Sequence, residues 1–314
     1  MNQVPVGLVF PGQGTQKRAM GAPWRDTPSW AIAEEVSAVT GEDLPELLLD
    51  TSDEHLRRTD LAQLSVFTVA LMAHAEAVRD GVIDGPVAGC AGHSLGEYAA
   101  LVASGVLTVG RAAALVAVRG RAMREAAGAR EGTMGVVVAA PLGEVEALAG
   151  EMRASGADVW VANVNAPGQT VVSGSPDAIG EVADRAPSIG GKMLRLAVGG
   201  AFHSPYMVPA AEALGRSLRD TVFAPAAVPV VTNVDAEAHA GEADWPALCI
   251  RQLTSPVLWE RSVRTLTGPL GCGRLVELGP GRTLAGLIRR IDPGVETVSV
   301  NKPLAAPARS AGER

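Results

Sequence analysis

The stretch Gly92-His93-Ser94-Leu95-Gly96 offers the strongest chemistry in the chain. It follows an apolar run, Pro86 to Ala91, and precedes a helix-like run, Glu97 to Ser104. A strand, a Gly-x-Ser-x-Gly turn and a helix together build a nucleophile elbow. The flanking glycines permit a turn in which a Cβ would clash, so the Ser94 hydroxyl projects from it. Ser94 then sits at a helix N-terminus, where free backbone N–H groups stabilise a developing oxyanion. In a chain with 36 glycines the pentapeptide alone also fits an ordinary Gly-rich βα turn. The strand before it and the helix after it single it out.

A nucleophilic serine needs a base, and there are five histidines. His93 adjoins the serine, and on a sharp turn its ring should point away from the hydroxyl. His74 belongs to an apolar helix, while His55 and His239 fall in loops among charged or small residues, where a solvated role is expected. His203 follows the strand-like Leu194–Val198 and the turn Gly199-Gly200, and precedes Pro205. A histidine on such a strand-end loop is well placed to meet a distant serine, although an inert loop histidine fits the same pattern.

Arg119 poses a sharper question. Ala112, Leu115, Val116 and Met123 form one stripe at helical spacing, with Arg119 in its middle and Arg121 and Arg124 pointing elsewhere. An arginine on a buried face keeps its charge and is costly without an anion. That anion is either an internal carboxylate or the carboxylate of a substrate held in a bidentate clamp. Periodicity leaves both open. Gly12-Gln13-Gly14 could lend a second oxyanion N–H or be a simple turn; it lacks the Lys-Ser/Thr of a phosphate loop and the spacing of a dinucleotide fingerprint. Glu277-Leu278-Gly279-Pro280-Gly281 reads as a strand-to-helix turn.

The elements that must position these groups alternate. Val6–Phe10 reads as a buried strand, 61–79 as helix, 86–91 as strand, and Thr108 caps a helix from about Val109 to Ala127, ended by Gly128. The middle changes rhythm: Met134–Ala139 strand, Leu142–Arg153 helix, Asp158–Asn163 and Thr170–Ser173 strands, Pro176–Arg185 helix, Lys192–Val198 strand. This βαββαβ order is the ferredoxin-like split unit. The αβ alternation then resumes with strand Val228–Val231, helix 245–253, strand Leu275–Glu277 and helix 283–291. The expected architecture is therefore α/β: an α/β hydrolase-like core, a mainly parallel sheet flanked by helices, from residues 1–130 and 200–303. It carries an inserted ferredoxin-like βαββαβ subdomain at 131–199. The Ala/Pro/Arg-rich end, 304–314, reads as a flexible tail.

Composition bounds the rest. The 314 residues suffice for one large domain or two unequal ones, and 47% hydrophobic with 19% charged residues describes a globular chain. Aromatics at 4% and a net charge of −7 argue against nucleic-acid binding. The most apolar runs, such as Ala112–Val118, look too short to span a bilayer, and residues 1–10 read as a strand rather than a signal peptide. Three scattered cysteines, 90, 249 and 272, fit neither a disulfide scaffold nor a zinc site, so a cytoplasmic location and no metal are expected.

Taken together, the motifs resemble one family: the malonyl-CoA:acyl carrier protein transacylases and the related acyltransferases of polyketide synthases, stand-alone ones included. The resemblance rests on Phe10-Pro11-Gly12-Gln13-Gly14-Thr15-Gln16, Gly92-His93-Ser94-Leu95-Gly96-Glu97-Tyr98, Arg119-Gly120-Arg121-Ala122-Met123 and Asn165-Ala166-Pro167-Gly168-Gln169. Further on come Ala201-Phe202-His203-Ser204, Thr232-Asn233-Val234, Gln252-Leu253-Thr254-Ser255-Pro256-Val257 and Glu277-Leu278-Gly279-Pro280-Gly281. These blocks appear in family order.

The resemblance implies a ping-pong transfer of malonyl from malonyl-CoA to the phosphopantetheine thiol of an acyl carrier protein, in fatty-acid or polyketide synthesis. No cofactor beyond these substrates is implied. Ser94 would be the nucleophile, His203 the base, and the backbone N–H groups of Gln13 and Leu95 the oxyanion hole. The Gln252 carbonyl would orient His203, so no triad aspartate is needed, and Arg119 would pair with the malonyl carboxylate. Gln63, Phe202, His93, Gln252 and Asn165 fall at substrate-binding positions, with Phe202 filling the space of an α-methyl group. Arg153, Lys192, Arg195, Arg282, Arg289 and Arg290 are candidates to meet an acidic carrier protein. The rival readings are an acyltransferase with an unusual acyl group or a carrier-protein donor, an acyl-thioester hydrolase, and a non-catalytic carrier-docking module. A monomer without nucleic-acid or membrane partners is expected.

Overall fold

The computed structural model describes residues 3–304, so the expected tail lies outside the described residues beyond Leu304. In chain order the elements begin with β1 (Val6–Phe10), α1 (Ala31–Thr40), α2 (Leu44–Leu49), α3 (Thr59–Arg79), β2 (Val87–Gly92), α4 (Gly96–Ala103) and α5 (Val109–Ala129). Next come β3 (Thr133–Val138), α6 (Leu142–Ala154), β4 (Val159–Ala166), β5 (Gln169–Gly174), α7 (Pro176–Arg185) and β6 (Lys192–Arg195). The chain continues with α8 (Val208–Arg219), β7 (Ala226–Val231), β8 (Ala238–Gly241), α9 (Trp245–Thr254), α10 (Trp259–Thr267), β9 (Arg274–Leu278), α11 (Thr283–Ile291) and β10 (Glu296–Val300).

Six strands form one sheet in the order β10-β9-β1-β2-β7-β8. All neighbours are parallel except β8, which pairs antiparallel to β7. Helices cover both faces, which is why β1 can be a continuous apolar run with every residue buried. The carboxyl ends of β1 and β2, adjacent in the sheet, deliver the Gly12–Gly14 turn and the elbow to one place. That is where ligands bind in sheets of this kind.

The second sheet has the order β4-β5-β3-β6, antiparallel throughout. Val137, Val159 and Val172 on one face pack with Val145, Leu148 and Met152 of α6 and Ile179 of α7. The alternate residues Met134 and Val171 join the main core instead, as strand alternation requires. A register shift in β4 near Asn163 lets Val164 and Ala162 exchange 2.9 Å bonds with Val257, tying the second sheet to the segment between α9 and α10.

Three expectations change. Helix α5 runs through Gly128 to Ala129, because the Cβ-free position sits on an exposed face where nothing forces a stop. Strand β6 ends at Arg195, since its pairing with β3 runs out there and Leu196–Gly199 turns toward the site. His239 lies on strand β8 rather than in a loop, paired with Asp235 at 3.3 Å and packed edge-on against Trp245. A fourth concerns length: α3, at 21 residues, is long and apolar enough to cross a membrane, but it is the core helix of this fold and largely buried. Helices α1, α8 and α10 and strands β8 and β10 carry no signal that the sequence reading used.

Candidate active site

Ser94 sits between β2 and α4 with φ +51°, in the left-handed region that a non-glycine residue seldom occupies. The elbow is as tight as the glycines suggested. A Cβ on Gly92 would run into the Gly96 backbone, and one on Gly96 into the Phe10 carbonyl. Bonds from His93 N to Phe10 O and from Gly96 N to His93 O, both 2.9 Å, lock the turn onto the end of β1. Gly12 is required for the same reason: a Cβ there would strike the His93 carbonyl. The Gln13 backbone is thereby brought against the elbow. Among the described residues no acceptor pairs with the N–H of Gln13 or of Leu95.

His203, from the loop after β6, places Nε2 2.8 Å from Ser94 Oγ. Its Nδ1 lies 2.9 Å from the Gln252 carbonyl oxygen of α9. A carbonyl only accepts, so Nδ1 carries the proton and Nε2 accepts from the serine hydroxyl. No carboxylate bonds this ring among the described residues. Burial, with the Arg119 charge as second cause, pushes the imidazole down to about 3, so it stays neutral and available as a base.

Arg119 reaches the same serine from α5. Its Nη2 donates to Ser94 Oγ at 3.0 Å and to Gln252 Oε1 at 3.1 Å, and Nη1 donates to Gln63 Oε1 at 2.6 Å. Nε is buried without a partner. The side chain is 1% exposed, and among the described residues it has no salt bridge to any carboxylate. The internal-partner reading from the sequence is thus not met. Glu97, the buried carboxyl below it, instead accepts from Asn233 N at 2.6 Å. Burial pushes Glu97 up to about 8, against the opposing pull of Asn233 N–H and Arg119, so near neutral pH it is mostly uncharged.

A cavity of about 390 Å³ opens above these groups, between the two sheets. Ser94, His203, Arg119, Gln13, His93, Asn165 and Phe202 line it. His93 is turned away from Ser94, bonding Asn165 Oδ1 at 2.9 Å and stacking tilted on Trp259. Gln63 lies behind Arg119, with Nε2 3.3 Å from Met123 Sδ and 3.4 Å from Gln13 Oε1. Gln252 contributes three times: its carbonyl holds His203, its Oε1 accepts from Arg119, and its Nε2 donates to Ser94 O at 3.0 Å. The fold therefore gathers Ser94, His203, Gln13, Leu95, Arg119, Gln63, Phe202, His93, Gln252 and Asn165 in one place. Sequence reasoning missed the wall residues Met123, Met134, Val171, Leu196 and Arg57. Met123 lay on the same helical stripe as Arg119, one turn on; Met134, Val171 and Leu196 gave no signal, because their approach depends on how the second sheet docks, and Arg57 comes from the short turn before α3.

Residues 8–280 match the acyl transferase domain family. The chain is 33% identical over 301 residues to the malonyl CoA-acyl carrier protein transacylase of Bacillus subtilis (strain 168), covering 95% of this chain and 94% of that one. The structure of the malonyl CoA-acyl carrier protein transacylase from Coxiella burnetii superposes with a TM-score of 0.89 at 33% identity, over 96% of this chain and 95% of the other. A malonyl-transacylase solved in complex with its holo type II PKS acyl-carrier protein superposes with a TM-score of 0.87 at 33% identity, over 95% and 96%. With its serine–histidine pair, its buried arginine and this likeness along nearly its whole length, the chain belongs to the acyl transferase family of the malonyl-CoA:acyl carrier protein transacylases.

Proposed function

We propose that the protein moves a malonyl group from CoA to the phosphopantetheine thiol of an acyl carrier protein through an acyl-serine. The observation that carries this reading is Arg119, a buried guanidinium aimed at Ser94 Oγ with amide oxygens but, among the described residues, no carboxylate to bind. An acyl group ending in a carboxylate supplies the missing anion. The relatives' names, and the neighbour in complex with its acyl-carrier protein, support the same donor and acceptor.

Ser94 Oγ attacks the thioester carbonyl carbon while its proton passes to His203 Nε2. The N–H groups of Gln13 and Leu95 receive the oxyanion. As the C–S bond breaks, the CoA sulfur leaves with the proton from His203. In the second half the pantetheine thiol gives its proton to Nε2, its sulfur attacks the acyl carbonyl, and the ester C–O bond breaks. The proton then returns to Ser94 Oγ. Protein groups and the two thiols balance each step, so the scheme calls for no metal or other cofactor.

Phe202, at the cavity wall, fills the volume of an α-methyl substituent; a methyl is worth only about 1–3 kcal/mol in such a pocket, so discrimination is incomplete. Residues 1–130 and 200–303 read as an α/β hydrolase-like large subdomain and 131–199 as a ferredoxin-like small one. The antiparallel order β4-β5-β3-β6, with α6 and α7 packed together on one face, is what a βαββαβ split unit builds. Exposed Arg282, just before α11, and exposed Arg289, in its last turn, suit an acidic carrier surface; Leu284 and Leu287 of the same helix line the cavity. A cytoplasmic location fits three buried free cysteines.

The deciding experiment is intact mass after brief incubation with malonyl-, methylmalonyl- or acetyl-CoA, with Ser94→Ala beside the parent. A malonyl adduct that the variant lacks, chased by carrier protein, is the expected result. Release of CoA without carrier protein and without an adduct would point to a hydrolase instead.

A further inference from the structure

We propose that Asn233 is a positioning residue for the nucleophile: its carboxamide spans the elbow from inside the fold and holds Ser94 in the backbone conformation that attack requires. The proposal rests on the reading of Ser94 as the nucleophile. Asn233 lies in the turn after β7, 139 residues from the serine, and is fully buried. Its Oδ1 accepts from Ser94 N at 2.7 Å, and its Nδ2 donates to Gly92 O at 2.6 Å. One side chain thus grips both sides of the turn.

The grip is itself fixed. Asn233 N donates to Glu97 Oε2 at 2.6 Å, and its carbonyl accepts from Leu258 N at 2.9 Å, so all four of its polar groups are used. The surrounding turn is braced by Ala236 N to Thr232 O at 2.9 Å and Glu237 N to Asp235 Oδ1 at 3.1 Å.

Two consequences follow for the chemistry. A serine held at φ +51° is strained and stays there only while its surroundings insist. If the Asn233 bonds are lost, φ relaxes and Oγ leaves its 2.8 Å approach to His203. Misplacement on the order of 1 Å costs about 100-fold in rate. Moreover, the Ser94 N–H is already occupied by Asn233, so the oxyanion donors must be other N–H groups. Elbow bonds such as Gly96 N to His93 O brace the neighbours, but Asn233 Oδ1 is the acceptor for Ser94's own N–H.

Asn233→Asp separates positioning from mere packing. The protonated aspartic acid of the variant keeps an acceptor for Ser94 N and an O–H donor for Gly92 O; the ionised form sets an anion against that carbonyl. Other titratable and charged groups face this site: Glu97 on α4, Asp235 two residues along the turn, Arg119 on α5, and His203 across Ser94. The readout is therefore the ratio of variant to parent single-turnover acylation by malonyl-CoA, taken at each pH so that the parent's titrations cancel. We expect this ratio to be down ~100-fold near pH 8 and to recover ~10-fold or more toward pH 5.5. Asn233→Ala is expected to be slow at every pH. Malonyl-CoA affinity, measured with Ser94→Ala in both backgrounds, stays within about twofold when Asn233→Asp is added. Acylation near the parent's rate at pH 8, a loss that does not recover in acid, or affinity falling with rate would each overturn the proposal. An adduct persisting in Ser94→Ala alone would instead overturn the assignment of the nucleophile.

Discussion

Helices α3 and α5 meet twice through charge. At the start of α3, Asp60 bonds Arg58 at 2.8 Å and Arg124 of α5 at 3.1 Å, with both arginines about half exposed. Earlier on α5, Arg119 is buried, yet among the described residues its hydrogen bonds go to Gln63, Gln252 and the serine hydroxyl, with the Tyr98 ring 5.7 Å from the guanidinium. In the first place the buried charge is a carboxylate, neutralised by its own chain. In the second it is a cation left electrically unsatisfied at the floor of a cavity. Since a lone buried charge costs several kcal/mol, a chain keeps one only where something outside it completes the pair. The difference marks which charge belongs to the fold and which to a ligand.

The contrast breaks most visibly at Arg119. Arg119→Met should slow malonyl transfer by about 3–4 kcal/mol, on the order of 10²–10³ in kcat/KM, because it removes one partner of a desolvated charge pair. It should not lower Tm, since the apolar replacement also removes a buried charge. Steady-state kinetics and thermal melting on the same preparation check both halves; a stability loss with transfer intact would make Arg119 structural after all.

Asp60→Asn should behave in the opposite way. Its loss leaves kcat/KM for malonyl-CoA unchanged and lowers stability by about 1–2 kcal/mol, read from urea melts, with solvent screening of the exposed arginines keeping the figure small.

The pH dependence of stability sharpens the comparison further. Burial works to raise the Asp60 carboxyl, but the hydrogen bond and charge of Arg58, with Arg124, win and hold it below the usual range. Its contribution is therefore present above the ordinary carboxylate pKa and lost as pH falls through the folded value. Glu97 has the reverse sign. Burial raises it to about 8 from an unfolded value of 4.5, so the folded state binds the extra proton and stability declines as pH rises between those values. Urea melts across this range should show Asp60→Asn flattening the acid limb and Glu97→Gln the alkaline one. A Glu97→Gln variant as pH-sensitive as the parent would disprove the burial of an uncharged acid beneath Arg119.

Much of this was legible early. The elbow carried its own evidence, because a strand, two glycines around a serine and a helix constrain one another locally. The helical stripe through Arg119 showed that a charge is buried, since periodicity reports which face is covered. It was silent on the partner, which comes from α3 and α9. Asn233 stood in a recognisable motif with no role attached to it, because its partners lie 139 and 141 residues away.

The sequence by itself determined the local states: the tight turn at Ser94, the α/β alternation, the change of rhythm from Met134 onward, and the burial of Arg119. These depend on steric limits and on apolar spacing within a few residues of one another. Only the tertiary structure decided that His203 reaches Ser94, that Gln252 holds the histidine, and that among the described residues no carboxylate bonds Arg119. Those outcomes depend on sheet order and on the docking of the second sheet. Groups far apart in the chain become neighbours there because strands pair and cores close, and side-chain spacing along the sequence contains no record of it.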